Sequence, residues 1–186
     1  MMTRETEERR EYYRIEDCLA LEILPADAAS LPPPALFELL AELHQLDTEA
    51  QPLLRQIGDR DRSLASYLKL QAKRLELLGQ AVAQDLLRHF GPPRPVTLSE
   101  GGIRFLHPQP LTVGGRVTLR LLLLPDALGL QAAAEVLQST PGEDGQHRIA
   151  LAFEFDNDAQ RQLVARHVLK RQARERRQAR EATQES

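Results

Sequence analysis

The amino-acid sequence predicts an α+β fold: an antiparallel sheet or barrel, interrupted near its start by a long helical insertion and followed by a C-terminal helix. Three observations predict it. Apolar residues across positions 54–82 recur at heptad spacing. Short apolar runs across 96–155 are instead separated by Gly, Pro and Asp turns. A charged, helix-forming stretch then occupies 158–182. With 186 residues, the chain has room for one barrel-sized domain plus a helical appendage.

Residues 1–14 are polar and form an arginine-bearing arm, expected to be flexible until something orders it. Residues 15–30 make the first part of the sheet, where CLALEIL (18–24) reads as a strand stopped by Pro25. The insertion covers 31–91. Its proline run, 32–34, suits the first turn of a short amphipathic helix carrying Leu36, Phe37, Leu39, Leu40, Leu43 and Leu46. Asp47 or Thr48 is then expected to cap a second helix reaching about Phe90, with Pro52 near its start and not in its interior. Gly91-Pro92-Pro93 ends it. About 40 helical residues span ~60 Å, more than one small barrel can cover.

That long helix carries a seam. Leu54, Leu68, Leu75 and Val82 take a positions, and Ile57, Leu64 and Leu78 take d, with polar Asp61, Gln71 and Asp85 as exceptions. The e positions Gly58, Ala65, Ala72 and Gly79 are all small. Two interior glycines cost about 1 kcal/mol each in helix propensity, so close packing is expected to offset them. The pattern predicts self-association through Leu54, Ile57, Leu64, Leu68, Gln71, Leu75, Leu78 and Val82, as a tetramer ahead of a dimer. The alternative is an intramolecular hairpin, in which this helix folds back on the one before it.

The sheet resumes over 92–157. Runs at 102–106, 116–124, 130–139 and 147–155 are divided by Gly114-Gly115, Pro125-Asp126 and the 141–145 turn. Val117, Leu119, Leu121 and Leu123 alternate, which turns one face inward. Residues 158–186 form the last helix and tail. Asp156-Asn157-Asp158 should cap that helix, and Leu163, Val164, Val168 and Leu169 should pack on the sheet. Beyond Lys170 it is charged all round, so its basic run is expected to be solvated.

Composition excludes several classes of function. A net charge of −3 argues against general nucleic-acid binding. Cys18, the single cysteine, allows no intrachain disulfide or cysteine zinc site, and its apolar setting predicts a buried small hydrophobe. The opening MMTRETEERR lacks the apolar core of a signal peptide, and no apolar run nears the roughly 20 residues a bilayer requires. A cytoplasmic chain without membrane insertion is expected. The histidines, His44, His89, His107, His147 and His167, are scattered without a close pair or adjacent carboxylate. There is no phosphate loop and no Gly-x-Ser-x-Gly elbow. An enzyme, a metal site and a cofactor are therefore not expected.

Two segments could hold a ligand. Arg9, Arg10 and Arg14 present planar forks suited to guanine edges, phosphates and flat rings. In 97–105 (TLSEGGIRF), Gly101 and Gly102 permit a tight turn and Ser99 offers a hydroxyl. Together and in this order they resemble the PilZ family, whose members carry R-x-x-x-R before the first strand and [D/N]-x-S-x-x-G between later ones. Arg10 and Arg14 match the first motif; Ser99 and Gly102, followed by Ile103-Arg104-Phe105, match the second. The likeness covers 9–24 and 96–170, and the insertion resembles the helical heptad inserts of tetrameric members.

The resemblance implies a six-stranded antiparallel PilZ-type β-barrel with a C-terminal helix, acting as a receptor for the bacterial messenger cyclic di-GMP. Arg9, Arg10 and Arg14 would grip guanines and phosphates, while Thr97, Ser99, Gly101 and Gly102 line the barrel side. It also implies an unidentified protein partner. One departure stands out: Thr97 occupies the Asp/Asn position. A lost charged hydrogen bond is worth ~1.5–3 kcal/mol, so Thr97→Asp is expected from sequence to strengthen binding. The alternative function is an oligomeric PilZ-like scaffold that no longer binds the nucleotide.

Overall fold

A computed structural model describes residues 14–30 and 34–184. Six strands, β1 (Arg14–Pro25), β2 (Arg94–Ser99), β3 (Gly102–His107), β4 (Arg116–Leu123), β5 (Leu128–Pro141) and β6 (His147–Glu154), close into an antiparallel barrel ordered β1-β2-β3-β6-β5-β4. Closure depends on the length of β1. Its first half, from Arg14 to Leu19, pairs with β2, and its second half, from Ala20 to Pro25, pairs with β4. One strand thus removes both sheet edges.

Period-2 alternation decides what lies inside. Ile15, Leu19 and Leu21 face the core with Val96, Leu98, Ile103, Phe105, Leu119, Leu121 and Val136. The same alternation turns Cys18 outward. The cysteine is exposed, which corrects its expected burial: an apolar neighbourhood in sequence says nothing about which face a residue takes.

The insertion is a pair of helices, α1 (Ala35–Arg60) and α2 (Arg62–Phe90), and its division corrects the expected one. Asp61 alone is extended; its carboxylate accepts from the Leu64 N–H at 2.9 Å and caps α2. Thr48 caps nothing: its hydroxyl donates to the His44 carbonyl within α1. Pro52 sits inside α1, where it removes one backbone donor.

The chain reverses at Asp61, and Phe37, near the start of α1, stacks on Phe90 at the end of α2 with ring centroids 5.4 Å apart. The expected single rod is therefore an antiparallel hairpin, and Leu54 and Ile57 lie on a different helix from Leu64, Leu68, Leu75, Leu78 and Val82. The small e-row residues serve this hairpin. Ala65 and Gly79 are buried, Ala72 is half-buried, and a Cβ on Gly58 would meet Ala65 at 3.8 Å. The heptad face of α2 points away: Leu64, Leu75, Leu78 and Val82 are all exposed, while Leu68 and Gln71 are half-buried.

The open end of the hairpin docks on the outside of the barrel through a second core of Ala20, Phe37, Leu40, Ala83, Leu86, Leu122 and Ala127. Gly129 of β5 makes the docking possible, since a Cβ there would lie 2.6 Å from Phe37 Cγ. Gly129→Ala is expected to cost about 1–3 kcal/mol through overpacking, read as a lower urea midpoint. Adding Phe37→Ala removes the contacts with the ring and leaves only the tight approach to the Phe37 Cα at 3.0 Å, so the double variant should lose less than the sum of the singles.

The last helix, α3 (Asp158–Gln184), is capped by Asn157, whose side chain accepts from the Gln160 N–H. Val164 and Val168 join the barrel core, and Leu163 packs against it. Leu169 does not; it is exposed, because it falls past the edge of that narrow apolar stripe.

Candidate functional site

The strand register brings Arg14 of the first ligand-candidate segment beside the second. Arg14, the first residue of β1 rather than the last of a free arm, is the cross-strand partner of Ser99. Ser99 in turn pairs with Gly102 across the β2–β3 turn. Arg9 and Arg10 lie outside the described residues. The Ser99 hydroxyl donates to the Gly102 carbonyl at 3.2 Å, and the Gly101 carbonyl accepts from the Phe153 N–H at 3.0 Å. A Cβ on Gly102 would collide with the Leu151 carbonyl oxygen. This glycine thus has a structural task, letting β3 approach β6, whatever it does for a ligand.

One step along the strands lies a second row. Glu16 pairs with Thr97, and Thr97 with Arg104, all on the outer face. The Thr97 hydroxyl donates to the Glu16 carboxylate at 2.8 Å. These three residues line an open groove of about 480 Å³ with Leu106, Gln138 and Arg148. Among the described residues, neither Arg104 nor Arg148 has a hydrogen bond or ion pair. Two uncommitted guanidiniums and a carboxylate, in a groove also lined by Ala150, can bind a flat anion with a hydrogen-bonding edge. Thr97 is legible in the sequence motif; Glu16 and Arg148 are not, because their place beside it depends on strand pairing.

A second polar cluster was also missed, and it corrects the reading of His167 as lacking a carboxylate neighbour. His167 of α3 is buried, with Nε2 2.7 Å from Asp17 Oδ2, a partner 150 residues away in sequence. Asp126, in the β4–β5 turn, has Oδ2 3.8 Å from His167 Nδ1 and accepts from Lys170 at 2.8 Å and Arg174 at 3.3 Å. Arg171 Nε lies 3.6 Å from Asp17. The start of the basic run is therefore engaged and not free in solvent.

Burial alone would push the His167 imidazole down, but the nearby Asp126 carboxylate and the hydrogen bond and charge of Asp17 outweigh it and raise its pKa. Burial would likewise raise Asp126; contacts from His167 and Lys170 and the charge of Arg174 hold it well below the usual carboxylate range. His44 of α1 faces the same cluster and is lowered, chiefly by burial, against the opposing charge of Asp126. The cluster clamps α3 to the barrel. Among the described residues, no group of His, Cys, Asp and Glu could hold a metal ion, and no helix is long and apolar enough to cross a membrane.

Comparison with known proteins bears on the fold directly. A family model described as the PilZ domain matches residues 72–170. No curated protein matches. A solved structure from Xanthomonas campestris, a tetrameric PilZ domain self-assembled via an unusual helical bundle, aligns with a TM-score of 0.52 at 22% identity. The alignment covers 87% of this chain and 89% of that one, so the likeness takes in the insertion as well as the barrel.

Proposed function

This chain belongs to the PilZ domain family, and from that membership we propose that it is a non-catalytic, cytoplasmic receptor for cyclic di-GMP that assembles through its helical hairpin. The observation that carries the reading is the pairing of Arg14 with Ser99. It sets Arg14 beside the glycine turn, so that one ligand can touch both. Binding would order the leader against the outer face of the barrel and so change the surface a protein partner meets.

Calorimetry tests this. The chain should bind cyclic di-GMP, and Arg14→Ala should weaken binding at least roughly tenfold, the loss expected for one charge-assisted bidentate contact. Absence of heat at high protein concentration rejects the receptor reading.

Assembly is supported by the exposed leucines of the hairpin and by the bundle of the Xanthomonas campestris protein. A tetramer is the expected state. Thr97 favours a second reading, a scaffold that assembles without the nucleotide, because its hydroxyl is committed to Glu16 and not offered to a ligand. The same titration separates the two.

A further inference from the structure

We infer that Glu16 supplies, from strand β1, the carboxylate that the PilZ motif carries on β2, and that with Arg104 it reads the base of the bound nucleotide. The inference rests on the cyclic di-GMP reading above and specifies how this barrel recognises guanine despite Thr97.

Placement on the strands suits Glu16 to this role. Thr97 stands where the motif has Asp or Asn. Its cross-strand partner on one side is Glu16, and the two side chains meet at 2.8 Å. A carboxylate at Glu16 therefore reaches the surface that an acidic residue at 97 would occupy. The bond orients it: the Thr97 hydroxyl takes up one lone pair of Oε1 and leaves the other sites of the acceptor-only group open. On the other side of Thr97 lies Arg104. Two strand spacings, about 10 Å, separate the backbones of Glu16 and Arg104.

Guanine fits between opposite charges so arranged. Its O6 and N7 accept from an arginine fork. Its N1–H and N2–H groups donate, and a carboxylate accepts both. Adenine presents the reverse pattern at the six position, so Glu16 and Arg104 together would select against it. Both side chains are exposed and border the groove, and Glu16 makes no ion pair with Arg104. The pair is thus held apart, open to a base.

The placement reverses one expectation from sequence. Thr97→Asp would set a second carboxylate against Glu16, and like charges at that range repel. The single change should weaken binding and not strengthen it.

The test is calorimetric titration of the full chain with cyclic di-GMP and with its inosine analogue, which lacks the N2 amino group. The wild-type chain should prefer the guanine ligand, and Glu16→Ala should bind it roughly tenfold to hundredfold more weakly, the loss of one charged hydrogen-bond partner. That variant should also lose the preference over the inosine analogue, which a change in stability alone would not cause. Exchange of the two residues, Glu16→Thr with Thr97→Asp, should restore most of the affinity. Circular dichroism melts should show all variants folded, since the positions are on the surface. Wild-type binding that Glu16→Ala leaves unchanged overturns the inference alone, as does an exchange variant no better than Glu16→Ala. No binding by the wild-type chain overturns the receptor reading and this inference with it.

Discussion

Replacing His167 with alanine is expected to cost the fold about 3–5 kcal/mol, the range for breaking a buried charged pair by removing one partner. The residue is buried, and its departure would leave Asp17 and Asp126 without their shared neighbour. It would also remove the buried centre of the link between β1, the β4–β5 turn and α3, leaving only the more exposed Lys170, Arg171 and Arg174 contacts. Urea unfolding should show the midpoint fall, while Arg116→Ala, which breaks an exposed pair with Glu154, should change it by less than about 1 kcal/mol.

The pH profile carries the same signature. Because His167 is raised above its ordinary 6.5, its contribution is fully present below that value and is lost as pH climbs through the raised one. Asp126 is lowered, so its contribution is present above the ordinary carboxylate range and is lost as pH falls through its lowered value. Stability should therefore peak in mildly acidic solution and decline toward alkaline pH. In His167→Ala the alkaline decline should flatten. A wild-type chain whose stability is level from pH 6 to 9 would contradict this account of the clamp.

Charging the outer face of α2 should have the other large effect. Leu75→Lys with Leu78→Lys is expected to leave the hairpin folded, because both side chains are more than half exposed within the chain. Assembly should suffer instead. Every copy would have to bury two ammonium groups in an apolar seam, so the dissociation constant should rise at least about a hundredfold. Sedimentation equilibrium is the measurement: tetramer for wild type at micromolar concentration, monomer for the variant, with equal helical circular dichroism. A wild-type chain that sediments as a monomer removes the assembly proposal and leaves the exposed leucines without a role.

The heptads of the insertion are legible in the sequence; the partners they meet are not. Both rows are real, but they do different jobs. The small row closes the hairpin, as Gly58 and Ala65 illustrate, and the leucine row remains outside. Local patterns reveal that a helix has two faces suited to packing. They do not reveal which partner each face meets, because an intramolecular and an intermolecular helix present the same chemistry. Asp61 was visible only as an interruption of the seam, although its cap to Leu64 ends one helix and starts another.

By itself, the sequence determined the helical insertion and last helix, the strands that follow Gly102 with their turns, and the family, because these are written in residues near one another; the break at Asp61 was not. Period and turn chemistry act over a few positions, and the Arg10–Arg14 and Ser99–Gly102 spacings are local. Only the tertiary structure decided that Arg14 faces Ser99, that Glu16 reaches Thr97, and that His167 is held between Asp17 and Asp126. Each of those pairs is joined across many tens of residues by strand register or helix docking. Register is set by the summed burial of whole faces, and no single residue carries its address.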